Sequence, residues 1–548
     1  MITRGTTIEE AQAFIDGPSL SDALSRLAHR DPDRGYLSDQ GEDVSAGQLD
    51  SMVNRAAHRL RENGVTAESR VGLALHVGVE HVVLIFALLR IGALWLPMNT
   101  QLTGDPLKYQ LSDSGATHLV TGVHEQLADE VRSIGRMSEL GTVADSEDSL
   151  AIAALAPFGD HPESADRAHA SLLMYTSGTT GPPKGVLVTE SMMKAAILGA
   201  IEVTRPDPGD VFFVWEPLFH IGGAQVIFLP LFRQITLALV PRFSASRFWN
   251  DVRESRATHI HYLGGVLQIL LQLPESPYER DNRVRMAWGA GATPEVRAAC
   301  QSRYGFELNE CYGMTEASSV ITVNRDEPDG GVGAPFPWVQ VEIDPQSQVE
   351  PAPSPDGTGT DTDGVAGQAR AGCLPGRPGA RSAAEARGEL IVRGLVDGML
   401  TPGYLGKPEA TAKARDGEWF RTGDFGYLDQ RGNVHFTGRG SDSIRVRGEN
   451  VSTWQVESVL GLHPDVDRCA VVGVKAEVGE QEMLLVMTEA EGRALDPAAV
   501  LTWAADRLAA FQVPKYARVI AEMPLTPSQR IAKHRLSRDL EGAVQVRR

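Results

Sequence analysis

The segment from Thr176 to Lys184 reads TSGTTGPPK. Small residues such as Gly178 and Gly181 let backbone N–H groups come close to an anion. The hydroxyls of Thr176, Ser177, Thr179 and Thr180 add donors, and Lys184 adds positive charge. Together they make a cradle for phosphate. It is not the Walker A arrangement, where Gly-Lys is followed at once by Ser or Thr, because Gly185 follows Lys184. A second cluster, CYGMTEAS from Cys311 to Ser318, joins four useful residue types. Tyr312 can stack on an aromatic base, and Gly313, before Met314, permits close approach. Thr315 can donate to a phosphate oxygen, and Glu316 is a hard oxygen ligand suited to Mg2+.

Three further places could meet a small molecule. MAWGAGATPE contains Gly289, Ala290, Gly291 and Ala292, a run small enough for a flat ring to lie against the backbone. WFRTGDFGYLD carries Asp424, whose carboxylate can accept from two hydroxyls at once, and Arg439 follows in the next apolar run with a two-pronged guanidinium. WEPLFHIGG carries His220 after an apolar stretch, where a single histidine is ordinarily structural. Near the C-terminus, MPLTPSQRIAKHRL holds Arg530 and Lys533; read by itself, it is a basic helix end.

The elements that must position these residues alternate. RVGLALHV reads as a strand, EHVVLIFALLRIG as a helix, ALWLPMN as a strand, DPLKYQLSDSG as a helix ending at Gly115, and THLVTG as a strand. This βαβ rhythm runs from about Ser19 to Ile343 and predicts an α/β fold with helix-covered sheets. No short-period repeat is present. From Pro345 to Ala386 the chain is rich in Pro, Gly, Ser, Thr and Ala with few large apolar residues, so residues 345–386 read as a disordered insertion. Regular structure is predicted to resume at GELIVRG. FGYLDQRGNVHFTGR then reads as a hairpin around a Gly-Asn turn. A compositional break at GRGSDS divides a large domain, 1–438, from a small α/β domain, 439–548, with strands at CAVVGV and EMLLVMTE and a helix at PAAVLTWAADRLAAF.

With 548 residues, 42% hydrophobic and 22% charged, the chain reads as soluble, globular and larger than one core. A net charge of -19 argues against a nucleic-acid partner but allows an anionic ligand in a local basic pocket. The four cysteines, Cys300, Cys311, Cys373 and Cys469, form no CxxC pair, so neither a zinc site nor a disulfide framework is indicated. HVVLIFALLRIGALWLP is interrupted by Arg90 and closed by Pro97, so it reads as a buried helix and strand and not as a membrane span. The N-terminus lacks the apolar core of a signal peptide, and a cytoplasmic protein with reduced thiols is expected.

Nearly the whole chain, apart from the insertion, resembles the AMP-forming, adenylate-forming enzymes: acyl- and aryl-CoA synthetases, nonribosomal adenylation domains and luciferases. The resemblance rests on the 176–184 loop, YGMTEAS, Asp424 and the C-terminal motif. It implies a large N-terminal domain, a small mobile C-terminal domain, and ATP, Mg2+ and CoA as ligands. By it, the 176–184 loop holds phosphates, the 289–292 run and Tyr312 to Met314 meet adenine, and Asp424 and Arg439 meet ribose or phosphate. Glu316 with Thr176 holds the metal, Thr315 meets the α-phosphate, and His220 lines the acid pocket together with the 261–268 region and the flanks of 289–292 and 312–317. The family spells the adenine run Gly-Gly-Ala-Pro, a departure here. The hinge falls at Ser441, where the family commonly has Asp or Lys, and the loop at Gly448 lines the thiol tunnel. RGENVS and THIHYLGGVLQILL are most similar to carnitine/crotonobetaine-type CoA ligases.

The family's C-terminal motif, Pro-x-Thr-x-Ser-Gly-Lys-Ile-x-Arg, matches Pro524, Thr526, Ser528 and Ile531. Arg530 then stands at the lysine position, Gln529 replaces Gly, and Lys533 stands at the trailing arginine. The frame favours Arg530 as the adenylation cation; Lys533 would serve only with a shift that breaks the Ile531 match. The implied reaction activates an acid as an acyl-adenylate and transfers it to CoA. A carrier-protein thiol or an amine remains open as acceptor, as does activation of nitrite for diazotisation of an aryl amine. A homodimer is also left open. A catalytically weak ATP-binding homologue is the reading of another class, and the intact loop, YGMTEAS and Asp424 argue against it.

Overall fold

The computed structural model describes residues 6–100, 104–122, 141–142, 150–154, 170–176, 183–325, 327, 330–347, 387–439, 443–446, 449–475, 481–505, 507–508, 512–525 and 531–545. Among them the strand and helix predictions up to Gly122 hold. Arg70–Ala74, Leu94–Pro97 and His118–Gly122 are strands, and Val79–Ile91 and Gly104–Ser114 are helices. Gly92, at φ 83°, ends the apolar helix in the left-handed conformation that an L side chain resists. Residues His81 to Leu88 of that helix are all buried, as the core reading required. No helix among the described residues is long and apolar enough to cross a membrane.

Two large sheets carry the N-terminal part. One has the order Gly141–Thr142, Leu150–Ala154, His118–Gly122, Arg70–Ala74, Leu94–Pro97, Ala170–Thr176, Lys184–Thr189. The other runs Ala334–Pro335, Ser319–Asn324, Glu307–Met314, Met286–Ala290, His259–Leu263, Val211–Val214, Thr236–Leu239, Gly35–Asp39, Glu42–Ser45. The helix Glu190–Thr204 packs against strands of both sheets and is buried along almost its whole length. Apolar residues on every face of a helix fit this central position. Lys194 is its exception: 6% exposed, it donates to the carbonyls of Ile15 (3.0 Å) and Gly17 (2.8 Å) and lies 3.4 Å from Glu190. The ammonium thereby caps the first helix, Ile8–Ile15.

The second sheet's inner strands are parallel, so their C-terminal ends open on one edge, where ligands of open α/β sheets bind. The helix Pro294–Tyr304 fixes that edge. Thr293 caps it by accepting from Val296 N, Pro294 occupies its first turn, and Gly305 ends it at φ 80°. From this helix buried Arg297 donates to Leu308 O at 2.7 Å and binds the neighbouring strand.

A third sheet contains Val339–Ile343, Arg387–Gly394, Trp419–Leu428 and Arg415–Asp416, with Val434–Arg439 paired to Trp419–Leu428 as the expected hairpin. Residues 345–347 form a turn on Asp344, with Ser347 Oγ accepting from Glu389 N; the remainder of the expected insertion, 348–386, lies outside the described residues.

The small C-terminal domain has a sheet of Val466–Lys475, Gln481–Glu489, Tyr516–Val519 and Val544–Gln545, beside the pair Ser443–Val446 and Glu449–Ser452. It touches the large domain where Gln272 Nε2 donates to Val466 O at 3.2 Å. The hinge candidate Ser441 lies outside the described residues. The basic helix end expected around 530–536 is instead an isolated bridge of Leu525 to Ile531 followed by one short turn of 3-10 helix, Lys533–Arg535. The pairing of Ile531 draws the backbone into an extended path that a helix would not allow. Cys300, Cys311 and Cys469 are buried and free. Burial pushes the Cys300 thiol up to about 12 and raises the other two as well.

Lys194→Met keeps the apolar stem and removes the cap on two carbonyls. It should lower stability by roughly 2 kcal/mol, read as an earlier first transition in urea followed by circular dichroism.

Candidate active site

Thr176 and Lys184 are direct partners across the antiparallel strands Ala170–Thr176 and Lys184–Thr189. They are therefore the two feet of the phosphate-loop segment, whose residues Ser177, Gly178, Thr179, Thr180 and Gly181 lie outside the described residues. The feet are braced from the side. Tyr109 donates to Pro183 O at 2.9 Å, Tyr175 to Asp113 Oδ2 at 2.8 Å, and Lys407 to Asp113 Oδ1 at 2.6 Å.

Lys184 Nζ sits 4.8 Å from the centroid of the Tyr404 ring, in cation–π range. The Tyr404 hydroxyl donates to Glu316 Oε1 at 2.9 Å. Burial, and then the Glu316 charge, raise the Tyr404 phenol above its ordinary value, so it remains a donor. Tyr404 is also fixed by a backbone bridge to Val186, and Thr401 N donates to Glu316 O at 2.8 Å. The structure thus brings the loop's lysine over the face, and the expected metal carboxylate to the hydroxyl, of one phenol ring.

Thr315 and Glu316 lie on a single 3-10 turn, Thr315–Ala317, directly after the strand Glu307–Met314. Ser318 and Ser319 follow at φ 59° and 68°, two left-handed residues that L side chains rarely adopt and that reverse the chain into the next strand. Gly313 stands where a Cβ would come within 1.6 Å of Ser319 O, and at Gly289 a Cβ would lie 1.9 Å from Tyr262 O. Only glycine fits either position.

Tyr312 is buried; its hydroxyl donates to Asp424 Oδ2 at 2.8 Å and its ring stacks on Phe436, with centroids 6.0 Å apart. Arg439 is the strand partner of Asp424. Gly289 and Ala290 end the strand Met286–Ala290, and Gly291 takes φ 96°. The N–H groups of Gly291 and Ala292 both donate to the carboxylate of Glu310, Ala292 N at 3.1 Å to Oε2, and Tyr262 adds its hydroxyl. His220 is half-buried at the start of the helix Ile221–Val226, with its ring 4.7 Å from that of Phe219.

Lys533 lies elsewhere. Its ammonium is 2.9 Å from Glu457 Oε1 and donates to Thr453 Oγ1 at 2.7 Å, both on the small domain. Arg530 and Gly448 lie outside the described residues.

Three participants escaped the sequence reading. Tyr404 comes from a Gly/Pro-rich loop with no local signal. Glu310 and Glu216 could have been noticed as acidic residues in apolar runs, LNECYGM and VWEPLF. Glu310 is fully enclosed, and desolvation raises its carboxyl to about 7 despite the donors around it.

The arrangement sets small glycine backbone and an aromatic ring near the ends of neighbouring strands of one sheet, a buried carboxylate, Asp424, from another sheet against that ring, and a lysine and a second carboxylate joined through Tyr404. It can hold a flat base, a diol and a chain of phosphates in that order. The sequence model described as AMP-binding enzyme matches residues 24–360, and that of the AMP-binding enzyme C-terminal domain matches residues 455–530. The chain belongs to the AMP-binding enzyme family.

Its curated relatives cover this AMP-binding enzyme almost end to end. An oxalate–CoA ligase of Arabidopsis thaliana is 28% identical over 95% of this chain and 98% of its own length. A 2-succinylbenzoate–CoA ligase of Geobacillus kaustophilus is 30% identical over 94% and 97%. A crotonobetaine/carnitine–CoA ligase of Salmonella paratyphi A is 26% identical over 90% and 92%, in line with the likeness read from RGENVS. Among solved structures, the o-succinylbenzoate CoA synthetase of Bacillus subtilis with its acyl-adenylate intermediate superposes with TM-score 0.74 at 23% identity, over 94% of this chain and 97% of that one. It shares the adenylate-forming fold of a large and a small domain.

Glu310 gives a pH signature. Its folded-state carboxyl, at about 7, lies above the ordinary value of 4.5. The folded chain therefore binds this proton more tightly than the unfolded chain, and the stability owed to Glu310 is lost as pH rises from about 4.5 to 7. Glu310→Gln keeps an acceptor for Gly291 and Ala292. Thermal melts from pH 4.5 to 8 should show a flatter profile for the variant than for the wild type.

Proposed function

We propose that the protein is an AMP-forming acid–CoA ligase. The observation that carries this reading is the junction of Lys184, Tyr404 and Glu316, with Glu316 four residues along the chain from Tyr312, which bonds Asp424. Relatives named as CoA ligases, 26 to 30% identical and covered nearly end to end, support it.

In the first step a carboxylate oxygen of the acid attacks the α-phosphorus of ATP, and the bond to pyrophosphate breaks. The 176–184 loop, with Lys184, holds the β- and γ-phosphates, and Thr315 donates to the α-phosphate. Tyr312 and the 289–292 run hold adenine, Asp424 and Arg439 hold the ribose side, and His220 lines the acid pocket. Glu316 suits Mg2+: it is a buried carboxylate already oriented by Tyr404, and no group of three or more His, Cys, Asp or Glu competes among the described residues. Glu316, helped by Thr176, would supply the protein ligands, with phosphate oxygens and water completing the shell. When bound, the ion supplies charge neutralisation across the phosphates. In the second step the small domain, taken as 439–548, turns about Ser441, the loop at Gly448 lines the thiol path, the CoA sulfur attacks the carbonyl, and AMP leaves. The free buried cysteines fit a cytoplasmic setting.

Arg530 is the adenylation cation in this reading. The ties of Lys533 to Glu457 and Thr453 support the choice, because they occupy its ammonium within its own domain.

Purified protein should catalyse acid-dependent ATP–pyrophosphate exchange and, with CoA, give a thioester seen by mass spectrometry. Exchange without a thioester would move the acceptor to a carrier-protein thiol or an amine, nitrite with an aryl amine included. No exchange with any acid would remove the enzyme reading. Arg530→Ala should lower exchange about 100-fold, and Lys533→Ala should keep it within severalfold of wild type. Loss in Lys533→Ala alone would reverse the assignment.

A further inference from the structure

One buried carboxylate, Glu310, takes no part in either chemical step. It stands on the strand Glu307–Met314, two residues before Tyr312, and pairs in register with Gly289. It is 3% exposed. Three donors converge on it. Gly291 N donates to Oε1, Ala292 N donates to Oε1 at 3.2 Å and to Oε2 at 3.1 Å, and the Tyr262 hydroxyl donates to Oε2. Enclosing a carboxylate is costly unless donors meet it. Here two of the three donors are the backbone of the short run that ends the strand Met286–Ala290.

Those backbone bonds fix which way the run faces. No peptide bond among the described residues is cis. In a trans peptide the N–H and the carbonyl of the residue before it point in opposite directions. With the N–H groups of Gly291 and Ala292 turned onto Glu310, the carbonyls of Ala290 and Gly291 face away from it. Gly291 reaches this orientation at φ 96°, which a side chain would resist. Ala290 is exposed, and Gly291 and Ala292 are half-buried, while Glu310 is enclosed, so the side away from the carboxylate is the open one. What the run offers a ligand there is carbonyl oxygen, because its N–H groups are taken by Glu310. An acceptor pairs only with a donor. The 6-amino group of adenine is such a donor, whereas the 6-oxo group of hypoxanthine or guanine would set oxygen against oxygen.

We propose that Glu310 is a positioning residue for nucleotide recognition: by accepting from Gly291 and Ala292 it makes the 289–292 run an acceptor edge, which selects a 6-aminopurine nucleotide over a 6-oxopurine one. The proposal rests on the adenylation reading, in which this run holds the base. Glu310 acts through the backbone and does not itself touch the nucleotide. A site whose polar groups are fixed in this way discriminates against an analogue that leaves them unpaired.

The test is calorimetric binding to the full chain, which does not depend on the acid. The probes are AMP, IMP and the purine ribonucleoside monophosphate that lacks a 6-substituent. The wild type should bind AMP about tenfold or more tighter than either of the others. Glu310→Leu leaves both N–H groups without their acceptor and should reduce that preference to within about threefold. Glu310→Met takes its place where the leucine variant fails to fold. Glu310→Gln retains an acceptor oxygen for both N–H groups, and its amide can donate to the Tyr262 hydroxyl, which has Asn309 O as a second acceptor at 3.2 Å. This variant should keep the preference for AMP. A merely structural role would weaken AMP and IMP alike and leave their ratio unchanged. Equal binding of the three nucleotides by the wild type overturns this proposal alone, as does an undiminished preference in a folded Glu310→Leu or Glu310→Met, or its loss in Glu310→Gln. Binding of none of them, nor of ATP, overturns the adenylation reading, and this proposal with it.

Discussion

The Tyr404 ring holds the proposed active site together. It carries the Lys184 ammonium on one face and the Glu316 carboxylate on its hydroxyl, and its backbone bridges to Val186 in the strand that ends the phosphate loop. One neutral phenol, kept protonated by burial, thus meets both a cation and a carboxylate. On a chain of net charge -19, this is how a strongly anionic ligand can be met locally.

The sheet geometry explains why the remaining groups converge. Parallel strands starting from different parts of the chain end on one edge, so Glu216, Gly291 and Glu316 come to that edge by following their strands by a residue or two. Close backbone approach does the rest. At Gly289 and Gly313 the adjoining carbonyls occupy the space of a side chain, and this draws the adenine-sized run and the YGMTE turn into one surface.

Much of this was legible in the sequence. The βαβ rhythm, the hairpin after Trp419 and the small second domain follow from hydrophobic periods of two and 3.6, which are local properties. The motif residues were legible because each cluster is a short string. What could not be read was partnership across distance. Tyr404 meets Glu316 from 88 residues away, and Tyr312 meets Asp424 from 112. Glu310 and the Glu216–His261 pair sit in apolar strings whose acidic members look like surface positions until the packing encloses them. The tail misled in the opposite sense: RIAKHRL has the charge of a helix end, but Ile531 pairs with Leu525 in a bridge, and only the short 3-10 turn Lys533–Arg535 follows.

The three described cysteines acquire a meaning beside a thiol-bearing acceptor. Each is enclosed, and each is held further from its thiolate than a free cysteine would be. Thiol–disulfide exchange requires an accessible thiolate. A ligase with these thiols could work in a pool of pantetheine thiols and their oxidised dimers without becoming a mixed disulfide at any of the three. The same packing that fills its cores also insulates these three thiols from the redox state of the co-substrate.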